Sequence, residues 1–455
     1  MSDLGSSLAE VGGILVAGGV PGYLAASAFV PGGPARTVEK LAWGFSIGAS
    51  LIASIVPLSF LARVPPGWLP LLILGGLVAL GASRFALDRS GSPSPAPHPG
   101  PSWMVFLLLL PIVFGVSRYA LIALAEPMSA FDYLGLWGLK AKTIFGAGEV
   151  PDRLFSAFTL RFSLPEYPLG LPLLYAGTAF LLGRWDDHAL ALLFPLFQAA
   201  ALAALYAWLR RRGASRALAL GAVSPFSVFY PLYANSVGTA EVPLSLGVLL
   251  FGTSLADGLD ATDRGALRRL AFGAFFVVSI KDEGWFVVLA AALVVAASAL
   301  MRRRRPPFSL LAAALLPGAA VRLLHVLRRG PMPFQAFDFG YLSASRLPEL
   351  AGRVKEVVTI AVEESVLPAW PALLALLLVA ACGRKTPSAS VLFGVLALCV
   401  AAYVVLPAFS PDPVRQIRNS FERTVAALAP LLAAALALRL VPVFSWRGAA
   451  LAPVD

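Results

Sequence analysis

Charged side chains are scarce in this chain, and a few of them interrupt apolar runs where a solvated face offers no explanation. Asp132 lies in AEPMSAFDYLGLWGLKAKTIFGAG (125–148), flanked by apolar residues just after a hydrophobic run. A carboxylate placed there can cap a helix N-terminus, or it can act as a general base for a hydroxyl at a membrane surface. Lys281, Asp282 and Glu283 stand together in SIKDEGWFVVLA (279–290), between two apolar runs joined by almost no loop. Charges so close to hydrocarbon are unfavourable unless they are paired or bound to something. Glu241 precedes Pro243 at the start of another run, where an acid commonly partners the helix dipole. Glu166 and Tyr167 fall in FSLPEYPLGLPLL (162–174), whose prolines read as a turn.

Such residues need a scaffold, and composition says what kind. Of 455 residues 58% are hydrophobic and 13% charged, with a mean hydropathy of +0.79. So few charges cannot cover a water-facing surface at this length, which excludes a soluble enzyme and a secreted disulfide scaffold and leaves a polytopic membrane protein. Runs long enough to cross a bilayer fall near 10–30, 41–62, 67–87, 102–124, 187–209, 215–233, 240–256, 267–280, 284–301, 307–327, 367–383, 388–408 and 423–441, about thirteen spans of an all-α protein. The stretch DRSGSPSPAPHPGPS reads as an extended connector, so the chain divides into an N-terminal three-span segment (1–87), a linker (88–101), a larger membrane domain (102–442) and a cytoplasmic tail (443–455). Cys382 and Cys399 sit inside apolar runs without metal-ligand spacing.

The net charge of +11 follows from arginine clusters, not from an affinity for nucleic acid. Arg210, Arg211, Arg212 and Arg216, then Arg264, Arg268 and Arg269, then Arg302 to Arg305, then Arg384 with Lys385, all belong on the cytoplasmic side by the positive-inside rule. They agree with the earlier basic residues only if 168–183 fails to cross, and its opening PLGLP suits a helix lying in the interface. The outer face then carries the large loops 125–186 and 328–366, and with them most of the isolated acids. Within 125–148, helical spacing puts Tyr133, Trp137, Lys140 and Ile144 on one side, as expected of an amphipathic helix resting on a membrane with its lysine snorkelling.

A resemblance emerges from these segments in order. Asp132 with WGLKAK (137–142), PEYPLGLPLL (165–174), AEVPLSL (240–246), KDEG (281–284) and NSFERTVAALAP (419–430) together look like the bacterial polytopic glycosyltransferases of the GT-C superfamily, over roughly two thirds of the chain. The resemblance implies a GT-C-like fold in the bacterial inner membrane, with an active site facing the periplasm or exterior. It implies an inverting enzyme that moves a sugar from a polyprenyl-phosphate carrier to a hydroxyl on a lipid, glycan or protein acceptor. By that resemblance Asp132 is the base and Glu241 the second acidic position, usually Asp in the family. Lys281 and Arg423, with Arg418, meet the donor phosphate, and Glu166, Tyr167, Trp137, Lys140 and Glu283 position donor or acceptor. Asp282 departs from the commoner Asn and adds a negative charge beside Lys281.

The chemistry suits these residue types: a departing phosphate needs cationic stabilisation, and inversion needs one base on the opposite face with no covalent intermediate. No cofactor is required, and a divalent cation remains compatible. A secondary transporter or a flippase for lipid-linked glycans is the alternative. Such folds usually show duplicated halves with charges near the midplane, and neither is evident here.

Overall fold

Backbone groups in lipid are satisfied within helices or closed β-barrels, and continuous runs of Leu, Ala, Val and Phe, with no period-two alternation, suit helices. The computed structural model describes residues 18–27, 35–66, 102–125, 128–152, 167–233, 236–260, 264–329, 338–363 and 386–449, with a few isolated residues between them, and every described element is helical. They are α1 (Arg36–Ala62), α2 (Ser102–Ala125), a π-turn (Tyr133–Trp137) leading into α3 (Gly138–Ala147), α4 (Gly170–Leu182), α5 (Leu193–Arg211) and α6 (Arg216–Ser227). There follow α7 (Glu241–Asp260), α8 (Arg264–Ile280), α9 (Glu283–Met301), α10 (Phe308–Arg329), α11 (Leu347–Ala361), α12 (Pro387–Val405), α13 (Pro413–Ala426) and α14 (Ala429–Ala449).

Six of the described helices are long and apolar enough to cross a membrane, and a seventh crossing is available if α13 and α14, bent by 44°, count as one broken span. The expected spans 67–87 and 367–383 lie almost wholly outside the described residues, and within 10–30 the described stretch 18–26 is helical. Those at 215–233, 267–280 and 307–327 fall on helices that are shorter or more charged: α6 has 12 residues, α8 has 17 with three arginines in its first turns, and α10 is apolar only over Phe308–Leu324. Helix α4 has 13 residues and is about 20 Å long, well short of the ~30 Å hydrocarbon core.

Helix α7 lies at the centre, packed against α5, α8, α12 and α14, and nearly all of it is buried. Helix α1 packs on α4 and α5, so this part of the N-terminal segment is built into the core. Helix α14 continues as helix to Ala449, into the stretch read from sequence as a tail.

The helix ends sort the charges. At one end of the bundle the C-termini of α5 and α7 meet the start of α1 and the first turns of α8 through Arg211, Arg212, Asp257, Glu39 and Arg269. Asp257 accepts from Arg211 at 2.8 Å, from Arg269 at 3.2 Å and from the Trp208 indole at 3.0 Å, and forms an ion pair with Arg212 at 2.9 Å. The other end holds the start of α7, the turn between α8 and α9, and Asp132.

Candidate functional site

Two residues, Lys281 and Asp282, separate α8 from α9, and the reversal is closed by Gly284 N donating to the Lys281 carbonyl at 2.9 Å and Trp285 N to that of Asp282 at 2.9 Å. Gly284 makes it possible, because a Cβ there would run into the Val277 carbonyl. The turn places three charges at the bundle end, and the structure shows how each is answered. Lys281 Nζ lies 2.9 Å from Glu283 Oε1 and 3.3 Å from Glu241 Oε1, while Asp282 Oδ1 accepts from Arg322 Nη1 at 3.0 Å. Burial opposes a charge on Lys281, yet the carboxylates of Glu283 and Glu241 more than offset it and hold the ammonium well above the usual lysine range.

Glu241, only 2% exposed, begins α7. The strand of chain before it passes over Tyr133 at Gly238, whose φ of +90° suits glycine. From the far side of the cluster, Arg423 on α13 directs Nη1 at Asp132 Oδ2, 3.0 Å away, and stands 3.8 Å from Glu241 Oε1. Asp132 has helical backbone angles and makes no capping hydrogen bond, so the capping role open in the sequence is not its role in the fold. Asp132, Arg423, Glu241, Lys281 and Glu283 therefore form one continuous chain of opposite charges drawn from four separate parts of the sequence.

The aromatic face of the first large loop is present but buried in protein instead of lipid. Tyr133, Trp137, Lys140 and Ile144 are each at most 1% exposed, and α3 packs against α4. Lys140 does not snorkel: its Nζ donates to the Leu164 carbonyl at 2.7 Å and pins the loop that carries Tyr167. Tyr167 in turn stacks on Trp137, with ring centroids 5.5 Å apart and an interplanar angle of 22°. Burial, and after it the Glu283 carboxylate, pushes the Tyr167 phenol above its ordinary range, as expected of a hydroxyl at the rim of the acidic cluster. Lys142 points the other way, to Asp187 at 3.4 Å. Inside the site, Glu283 Oε2 and Trp137 Nε1 are buried without a hydrogen-bond partner among the described residues.

Beside the cluster an apolar cavity of about 780 Å³ runs between α1, α4, α8 and α10. Pro57, Leu173, Phe276 and Trp285 line it, and Leu61, Leu324 and Leu327 at its rim are exposed. Arg322, the partner of Asp282, is the charged residue of its lining. Arg322 is not among the site residues expected from the sequence. The available signal was an arginine interrupting the apolar run ALLPGAAVRLL (314–324). Arg418, five residues before Arg423, is exposed on α13, and that spacing puts the two on different faces of the helix. Glu166 lies outside the described residues. Among the described residues no group of three His, Cys, Asp or Glu side chains is arranged to hold a metal ion. Comparison with protein-family models and with curated proteins finds no match to this chain, so its function is read from the residues themselves.

Proposed function

We propose that the chain is an inverting membrane glycosyltransferase of the GT-C type, which moves a sugar from a polyprenyl-phosphate carrier to a hydroxyl acceptor on the outer face of a bacterial inner membrane. One observation carries the proposal: Asp132, freed from any capping duty, meets Arg423 and Glu241 in a cluster whose Lys281–Glu283 turn is flanked by Ile280 and Trp285, two residues of the wall of an apolar cavity suited to a prenyl chain. The carrier lies in that cavity with its phosphate at Arg322, where hydrocarbon gives way to charge. Arg423 is the second phosphate contact, and it is drawn from Asp132 toward the phosphate as the bond to the sugar breaks, because the singly charged phosphodiester then gains a second negative charge. Asp132 then takes the proton of the acceptor hydroxyl as the hydroxyl oxygen forms its bond to the anomeric carbon. The bond from that carbon to the phosphate oxygen breaks on the opposite face, and polyprenyl phosphate leaves with the electron pair.

In this arrangement Lys281 is already neutralised by Glu241 and Glu283, so its part is to hold those two carboxylates in place more than to meet phosphate directly. Glu283 Oε2, Trp137 Nε1 and the Tyr167 hydroxyl are the groups left to orient the sugar or the acceptor. A transporter is less well supported, because Glu241 and Lys281 stand at helix ends and not at mid-span. Purified protein incubated with a panel of polyprenyl-phosphate sugars and hydroxyl acceptors should release free polyprenyl phosphate. Release that persists unchanged in Asp132→Asn would move the base to Glu166 or Glu241, and transport of the intact lipid with no release would remove the enzyme assignment.

A further inference from the structure

At the end of the bundle opposite the acidic cluster, α5 finishes in three arginines whose surroundings differ. Arg211 and Arg212 are met by Glu39, Asp257 and Asp260. Arg210 is only 4% exposed, and its described hydrogen bond runs from Nη1 to the Ala214 carbonyl at 2.8 Å, with no carboxylate in ion-pair contact among the described residues. Arg216 is the first residue of α6, where the helix dipole opposes a cation, and the first turn of α6 contains no acid. Both arginines line one cavity of about 710 Å³ between α1, α2, α5 and α6, a size within the roughly 300–1,000 Å³ of ligand sites.

The rest of that wall is apolar, with Leu109, Ile112, Leu202 and Tyr206 among its residues. It opens along α2, the least buried of the six spanning helices, so the groove is accessible from hydrocarbon. A buried guanidinium is unfavourable without a counter-charge, and here the two unneutralised arginines stand at the head of an apolar channel. The ligand that satisfies both halves is an anion attached to a hydrocarbon chain. We propose that this groove binds an anionic lipid, with its phosphate between Arg210 and Arg216 and an acyl chain running between α2 and α5, at the bundle end away from the candidate active site. Arg210 also clamps the turn between α5 and α6 through Ala214, but a clamp alone requires neither Arg216 nor the groove.

Native mass spectrometry of the full chain, titrated in parallel with phosphatidylglycerol, phosphatidylcholine and glycerol 3-phosphate, tests this directly. Phosphatidylglycerol should be retained about tenfold more tightly than phosphatidylcholine, and glycerol 3-phosphate should not be retained. Arg216→Gln, an exposed change that should leave the thermal midpoint unaltered, should weaken phosphatidylglycerol by about tenfold, the usual loss of one charged contact. Ala203→Phe, which fills the groove, should weaken both lipids, and Arg304→Gln, exposed at the same end, neither. Equal retention of the two lipids would reduce the groove to ordinary annular contact and overturn the proposal. So would tight binding of glycerol 3-phosphate, which would make it a site for free anions, and so would an undiminished preference in both Arg216→Gln and Ala203→Phe.

Discussion

Asp132 and Arg423 lie 291 residues apart in sequence, and their 3.0 Å contact decides which substitutions are informative. Asp132→Asn removes the proton acceptor without removing a cap, so transfer should fall roughly a hundredfold or more while the melting temperature stays near that of the parent. Release of polyprenyl phosphate and a thermal melt of the same preparation measure the two sides of that statement. For Lys281 the structure changes the expected outcome. The sequence pointed to weakened donor use in Lys281→Ala; the buried pairing with Glu241 and Glu283 points instead to a loss of about 3–5 kcal/mol of stability, since two carboxylates are left facing each other. Lys281→Arg should restore most of it, as a melting curve would show. The pH dependence follows from the raised folded-state pKa of Lys281. Its stabilisation is fully present below the unfolded lysine value of about 10.4 and is lost as pH rises through the folded value, so the melting temperature should decline only on the alkaline side of about pH 10. Asp132, Glu241, Lys281, Glu283 and Arg423 were all legible as charges out of place in apolar surroundings. Their pairing was not, because no local spacing records which carboxylate will face which cation across hundreds of residues. Arg322 was legible by the same rule and was missed for its position deeper in an apolar run.

Helices set the precision of the site through a few close approaches. A methyl group at Gly284 would strike the Val277 carbonyl and force α8 and α9 apart, moving Lys281 and Asp282 with them. Gly284→Ala should therefore cost about 1–3 kcal/mol, like other overpacked positions, and reduce transfer more than its stability loss alone explains. Gly146→Ala in α3 meets nothing within 4 Å and should be neutral or raise stability by up to about 1 kcal/mol. Thermal melts of the pair in one detergent check both. The helical face of Tyr133, Trp137, Lys140 and Ile144 was correctly drawn from its spacing, while its surroundings were not. Spacing gives the side of a helix on which residues gather, and an aromatic side with one lysine is equally suited to a membrane surface or to a protein wall that offers a carbonyl. The Leu164 carbonyl, outside any described helix, is a partner no periodicity could supply.

Among the described residues, both ends of the bundle pair acids with cations: Glu39, Asp257 and Asp260 with the arginines of α5 and α8 at one end, and Asp132, Glu241 and Glu283 with Arg423 and Lys281 at the other. Cysteines introduced at the exposed Ser343 and Ser215, with Cys382 and Cys399 replaced, should react with an impermeant thiol reagent from opposite sides of a sealed vesicle. Labelling of both from one side would reverse the assignment of the arginine end. The clusters were read from sequence as topology signals alone, yet Arg211, Arg212 and Arg269 also converge on Asp257. That second role was hidden because Asp257 and Glu39 lie just outside the ends of apolar runs, where an acid draws no attention, and their partners come from other helices. Asp257→Asn should cost on the order of 3–5 kcal/mol by leaving buried arginines unneutralised, and a melt would detect it. The same helix has a consequence for how the protein is made. Helix α7 is the least apolar of the six spanning candidates and the most completely enclosed, with an acid near each end. Leaving the ribosome by itself it is a weak signal to the insertion machinery, so it should partition into the bilayer efficiently only after α5 has been synthesised and can offer Arg211 and Arg212 to Asp257. Glycosylation mapping of α7 translated with and without α5 would reveal that dependence, and with it the order in which the bundle is assembled.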